Sequence, residues 1–178
     1  NSIANILKKK FGKNNVYVIR NISESSPINN KYSKSDFKLS NIKYNMIYIG
    51  SLSQGRGVDI LLRSMVEVNN HIGLIIIGGE TIYKEKYTNI INDLGLSRRV
   101  QMIPAVPQED VVNICHHADL GIHPIQNTCL NHYYSLPNKI FQYIQAGIPV
   151  LCSNFPEMRK IIKIYNIGEV FNSDDFDS

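Results

Sequence analysis

LPNKIFQYIQAGIPVL, from Leu136 to Leu151, reads as a helix that runs straight into a strand. Ser135 can cap the helix, Pro137 suits an early helical position where an N–H is not needed, and Ile140, Phe141 and Ile144 form an apolar stripe. Gly147 stops the turn, and Ile148 to Leu151 begins a buried strand. One residue stands against this pattern. Lys139 falls in the first turn, where unpaired N–H groups and the positive end of the macrodipole disfavour a cation by about 0.3–1 kcal/mol. Two explanations fit: an anion held jointly by the helix N-terminus and the ammonium, or a solvated lysine on a mildly unfavourable site.

The same alternation extends in both directions. Upstream lie a strand YNMIYIG, a helix from about Val58, a strand GLIIIGG, a helix from Tyr83 to Leu94, a strand VQMIP, a short helix from Val111 to His116 and a strand DLGIHP. Downstream come IPVLC, a helix from about Pro156 to Tyr165 and a final short GEVF. Several of these strands are continuous apolar runs, which indicates a parallel sheet covered on both faces. The expected class is α/β with a doubly wound parallel sheet. Before Tyr44 the chain reads differently: a first helix carries Ile3, Ile6 and Leu7 inside and Lys8, Lys9, Lys10 and Lys13 outside. VYVI from Val16 to Ile19 reads as a strand, and Ser23 to Lys43 is polar and rich in Ser, Asn and Lys, as a linker or long loop would be.

The 178 residues fit one domain with a sizeable core, and 43% hydrophobic with 19% charged residues suit a soluble globular chain. Apolar runs such as Gly73 to Gly79 are far shorter than the roughly 20 residues of a membrane span, and no secretory signal opens the sequence. The three cysteines, Cys115, Cys129 and Cys152, lack metal-ligand spacing and read as free thiols in a reducing compartment, with no metal expected. The formal charge of +4 is not gathered into an arginine-rich run or interleaved with stacking aromatics, so nucleic acid is weakly supported and an anionic small molecule fits as well. The Lys8–Lys13 cluster could meet an anionic membrane or form the wet face of its helix.

In doubly wound sheets, ligands bind beyond the carboxyl ends of the strands. The loops to search are therefore Gly50 to Gly57, Gly78 to Thr81, Pro104 to Gln108 and Gln126 to Pro137, the last leading into the helix of Lys139. The first, GSLSQGRGVD, sets Gly50, Gly55 and Gly57 around Arg56 ahead of a helix, so backbone can approach a ligand beside a cation. It matches neither a P-loop nor the G-x-G-x-x-G dinucleotide spacing, and a plain strand-to-helix turn with a surface arginine remains its alternative. Arg56 and Lys139, distant in sequence, converge on one rim and favour a phosphate site.

Four segments in this order resemble the donor-binding half of retaining glycosyltransferases of family 4, over Asn45 to about Phe171. YIGSLSQGRGVDILL resembles the family's phosphate loop, LIIIGGE its next strand and glycine pair, and VQMIPAVPQEDVVNICHHADLGIHP its base-binding loop. SLPNKIFQYIQAGIPVLCSNFPEM is similar to the segment that holds the diphosphate and ribose of a sugar nucleotide. The resemblance implies a Rossmann-like half of a GT-B fold. It implies transfer of a sugar from a nucleotide diphosphate sugar, a co-substrate and not a cofactor, to a glycan or lipid-linked acceptor held mainly by an N-terminal domain.

Residues 1–22 would then be the end of that acceptor domain, with Asn21 after Arg20 at a frequent family position. Residues 23–43 would be the interdomain linker and 44–178 the nucleotide-sugar domain, its C-terminal helices cut short. The fragment alone would transfer no sugar. The setting implied is bacterial surface polysaccharide synthesis in the cytoplasm, peripheral to the inner face of the membrane through the other domain.

The implied donor site comprises Gly50, Ser51, Arg56, Glu80, Val106, Ser135, Leu136, Pro137, Asn138, Lys139 and Gln142, with no catalytic residue named. Arg56 takes the place of the phosphate-loop lysine, and the loop from Ala105 to Pro107 resembles the segment whose backbone reads the base. Three positions depart from the family: Ser51 where many relatives have arginine, Tyr133, Tyr134 and Ser135 where a first glutamate is expected, and Gln142 in place of the ribose-binding glutamate. These departures raise a second reading, a degraded domain that senses or scaffolds. A third is a related GT-B enzyme such as a sugar-nucleotide epimerase.

His116, His117 and Asp119 sit at a helix end, where a cation suits the dipole without chemistry. His132 lies in a polar rim loop with Asn127, Asn131, Tyr133 and Tyr134 that suits sugar hydroxyls or simply solvent. Glu80 can bond a ligand or stabilise a helix start.

Overall fold

The computed structural model describes residues 2–12, 14–19, 21, 27–29, 31–37, 39, 41–79 and 82–172. The apolar runs form β1 (Tyr44–Ile49), β2 (Ile72–Gly78), β3 (Val100–Pro104), β4 (Leu120–His123), β5 (Val150–Ser153) and β6 (Gly168–Phe171). The amphipathic segments form α1 (Ser2–Phe11), α2 (Val58–Ser64), α3 (Tyr83–Asp93), α4 (Val111–Cys115), α5 (Leu130–Tyr133), α6 (Asn138–Gln145) and α7 (Pro156–Tyr165). The six strands pair in parallel in the order β3-β2-β1-β4-β5-β6, the doubly wound order with its switch between β1 and β4.

Strand alternation sorts the core into two layers. One face carries Met46, Tyr48, Leu74 and Ile76 against Leu61 and Leu62 of α2 and Tyr87 of α3. The other carries Ile47, Ile49, Ile75 and Val150 against Ile114 of α4, Ile140 and Tyr143 of α6 and Met158 of α7. β1 pairs with β2 along its whole length, Tyr44 with Ile72 through to Ile49 with Ile77. With β4 it pairs only at Met46–Leu120 and Ile47–Gly121. The central strands thus part toward their carboxyl ends, and that parting opens the crevice where the site is built.

Four local expectations need correction. Val16–Ile19 is not a strand: it lies outside the sheet, with Tyr17 85% and Ile19 94% exposed, because no strand edge is beside it to pair. The first helix does not bury Ile3, Ile6 and Leu7, which stay about 40% exposed, while Ala4 alone is buried. It is held at its start, where Glu157 of α7 accepts hydrogen bonds from Ser2 N (2.6 Å) and Ser2 Oγ (2.7 Å). On α6 the buried face is Ile140, Gln142 and Tyr143, while Ile144 is exposed and Phe141 half-buried, because the helix leans its 140/143 edge on the sheet. Nor does Ser135 cap α6, since its Oγ donates to His132 O (2.8 Å) and Pro137 holds the cap position without a side-chain hydrogen bond.

The polar segment before β1 is tied to the domain at several points. Asn29 N donates to Asn113 Oδ1 (2.7 Å), and Asp110 accepts from Lys31 Nζ (2.6 Å) and Tyr32 Oη (2.9 Å). A short 3-10 turn, Lys34–Phe37, buries Phe37 in the α4/α6 layer.

Candidate functional site

The site grows from the ends of β1 and β4. Beyond Ile49 the chain turns at Gly50 with φ +147°, and Gly57, with φ +76°, caps α2 from the left-handed region. Between them Tyr48 Oη donates to Ser51 O (2.7 Å), and Ser51 Oγ donates to Ser53 Oγ (2.9 Å), so the loop is held from below and within. The rim loop after β4 is fitted onto it: Gln126 N donates to Gly55 O (3.0 Å), and Pro124 O fills the space that a side chain at Gly57 would need. Glycine at 57 is what allows the two loops to touch.

Lys139, in the first turn of α6, reaches back over this loop. Its Cε and Nζ occupy the place of a missing Cβ at Gly50. The side chain is half-buried, and burial, reinforced by Arg56, pushes its pKa down to about 8. Among the described residues no carboxylate lies within ion-pair range of either cation. Lys139 is therefore no solvated lysine. It is a partly desolvated cation within the field of a second one, an arrangement that costs stability unless an anion joins it.

Two adjoining cavities meet at this point. One of about 550 Å³ is lined by Gly50, Asn138, Lys139 and Gln142 together with Asn21 and Gln108. The other, of about 240 Å³, is lined by Gly50, Ser51, Gly78, Gly79, Ala105 and Val106 among others. They share Ile49, Gly50, Gln108 and Val111, so they form one cleft along the carboxyl edge of β1, β2 and β3. The smaller cavity has no charged side chain in its lining, which includes the small residues Gly78, Gly79 and Ala105. Ser135 and Leu136 line another cavity of about 300 Å³ with Ile3, Val18 and Phe141, which shares only Asn21 with the larger one. Arg56 lines none of these and meets Lys139 only through its field. Glu80, Thr81 and Arg20 lie outside the described residues.

Three residues in or near the cleft were not singled out in the sequence. Tyr143, fully buried, places its hydroxyl in the parting of the central strands, accepting from Ile49 N (3.3 Å) and lying 3.2 Å from Ile122 O and 3.3 Å from Ile47 O. Gly121 makes room for its ring, and a glycine inside a strand is the signal that marked such a close approach. Gln108 lines both halves of the cleft. His123 ends β4 with its ring buried, and a histidine in an apolar strand was visible in DLGIHP.

His132 Nδ1 lies 2.8 Å from Thr128 Oγ1 and 3.2 Å from Gln126 O, within the rim loop. By contrast, Asp119 accepts from Asn45 N (2.8 Å) at the start of β1, so His116, His117 and Asp119 belong to the amino edge of the sheet, away from the cleft.

By its match to a family model and its likeness to solved structures, this doubly wound domain is of the C-terminal type of GT-B glycosyltransferases. The family model described as glycosyl transferases group 1 matches residues 29–178, and the chain belongs to that family. Among curated proteins none matches its sequence. Among solved structures it is similar to TarM of S. aureus, a point mutant in complex with fondaparinux, alpha-GlcNAc-glycerol and UDP. There the TM-score is 0.74 at 13% identity, over 99% of this chain and 33% of that one. It is similar to sucrose-phosphate synthase from Thermosynechococcus elongatus, with TM-score 0.68 at 15% identity over 80% of this chain and 36% of that one. It is also similar to HepE of Anabaena in complex with UDP and glucose, with TM-score 0.66 at 17% identity over 80% and 38%. The chain thus spans between 33% and 38% of the length of these structures.

Proposed function

We propose that this chain is the donor-binding domain of a retaining family 4 glycosyltransferase, taking a nucleotide diphosphate sugar for transfer to a glycan or lipid-linked acceptor. The observation that carries the reading is Lys139: half-buried, without a carboxylate partner among the described residues, and laid over Gly50 at the mouth of the cleft. A diphosphate supplies the missing counter-charge. As the bond to the sugar breaks, negative charge gathers on the leaving diphosphate, and Arg56 and Lys139 stabilise that charge more than the ground state. The base lies in the smaller cavity against backbone, and Gln142 faces the ribose from α6. UDP or UDP-glucose in the HepE and TarM structures supports this class of ligand.

On this reading residues 1–22 close an acceptor domain, 23–43 link the two and 44–178 hold the donor. The isolated chain then transfers no sugar, because catalysis needs both walls of the cleft. The setting is bacterial surface polysaccharide synthesis in the cytoplasm, at the inner face of the membrane through the acceptor domain. Calorimetric titration with uridine, guanosine and adenosine diphosphates tests the core of it: one preferred base is expected. Absence of binding to all three would instead support a scaffold, the second reading that Ser51 and Gln142 motivate.

A further inference from the structure

The last residue of β4 is a histidine where the strand is otherwise apolar. His123 is 1% exposed, and neither of its ring nitrogens has a hydrogen-bond partner among the described residues. Ile122 packs into the α2/α3 layer, so alternation sets His123 on the other face, with its register partner Cys152 and toward α6. The ring lies within the field of Lys139, Arg56 and His132, and burial with these neighbours pushes its pKa down to about 3. It is therefore neutral, with one N–H to donate and one bare nitrogen to accept.

An imidazole left this way is a costly choice for a core position that Leu or Ile would fill. Its location at the carboxyl end of the strand, within the field of Lys139 and Arg56, points to a ligand group. We infer that His123 binds a hydroxyl of the donor sugar, an inference that rests on the donor-cleft reading. A hydroxyl both donates and accepts and so suits either nitrogen of a neutral ring. A phosphate oxygen only accepts and so can pair with the N–H alone. The ring is covered in this structure, so contact with a hydroxyl requires the packing over it to open.

The test compares uridine diphosphate with uridine diphosphate glucose by calorimetry, on the parent chain, His123→Phe and His123→Gln, with a thermal melt of each. Expected are a melting temperature for His123→Phe at or above the parent, uridine diphosphate affinity within about twofold, and an approximately five- to tenfold fall in the ratio of sugar-nucleotide to nucleotide affinity. His123→Gln should recover part of that ratio. An unchanged ratio in His123→Phe overturns the inference, as does a melt well below the parent, which would show the ring to be a structural element. A parent that binds neither these ligands nor their guanosine and adenosine counterparts sinks the donor-cleft reading first, and this inference with it.

Discussion

The ammonium of Lys139 lies over Gly50, in the volume that any side chain at residue 50 would fill. The loop after β1 and α6 are thereby interlocked: the lysine can lean on the loop only because the loop has no Cβ there. Gly50→Ala should displace the lysine and strain a backbone at φ +147°. The expected cost is about 1–3 kcal/mol of stability, together with loss of nucleoside diphosphate binding. Chemical denaturation and titration would check both, and a variant with parental affinity would show that the ammonium does not need this seat.

Lys139 also gives the cleft a pH signature. Its folded pKa, about 8, is depressed from 10.5, so between those values the unfolded chain binds more protons and stability rises with pH. Nucleotide binding runs the other way. An anion raises the lysine's pKa, so affinity should fall by about tenfold from pH 7 to pH 9 as the free ammonium deprotonates. Lys139→Met should flatten both profiles, melt higher than the parent and bind diphosphate more weakly. Arg56→Ala should weaken binding by about 1.5–3 kcal/mol, less at high salt, while the fold is spared. A pH-independent parental affinity would remove Lys139 from the ligand's surroundings.

Tyr143 joins the two strands that separate at the switch point. Removing its hydroxyl leaves Ile49 N without its 3.3 Å acceptor in a buried place. Tyr143→Phe should therefore cost about 1–3 kcal/mol. Hydrogen exchange at Ile49 should rise more than at Ile75 in the adjoining, fully paired strand. Equal protection at both amides would mean that the phenol does not hold the crevice.

The strand and helix succession from Tyr44 onward was legible because each element follows one period and each is closed by a glycine, proline or polar break. What sequence could not resolve were features that depend on neighbours distant in the chain. Val16–Ile19 has the residues of a strand but no edge to join. Phe141 and Ile144 are as apolar as Ile140, yet only the angle at which α6 meets the sheet decides which of them is covered. Lys139 and Gln142, expected from loop position and family resemblance, do line the larger cavity, whereas Arg56, expected with them, lines neither half of the cleft. Tyr143 acquires its role only once β1 and β4 are known to be neighbours, since its hydroxyl sits across that seam.

Gln142 decides between an adapted donor site and a decaying one. It is 5% exposed and lines the larger cavity with Lys139, one helical turn before it. A hydrogen bond to an ionised acceptor contributes about 1.5–3 kcal/mol and a neutral one about 0.5–1.5, so the amide gives up on the order of 1 kcal/mol against a carboxylate on the ribose hydroxyls. Gln142→Glu has a second effect that follows from the geometry. A carboxylate there becomes the counter-charge that Lys139 lacks among the described residues, raising the lysine's pKa and competing with phosphate for the ammonium. Nucleoside diphosphate binding should tighten several-fold through the ribose, whereas inorganic pyrophosphate, which has no ribose, should gain nothing or weaken. Calorimetry with both ligands separates the effects: unchanged nucleotide affinity, or an equal change for both ligands, would place Gln142 away from the ribose and strengthen the scaffold reading.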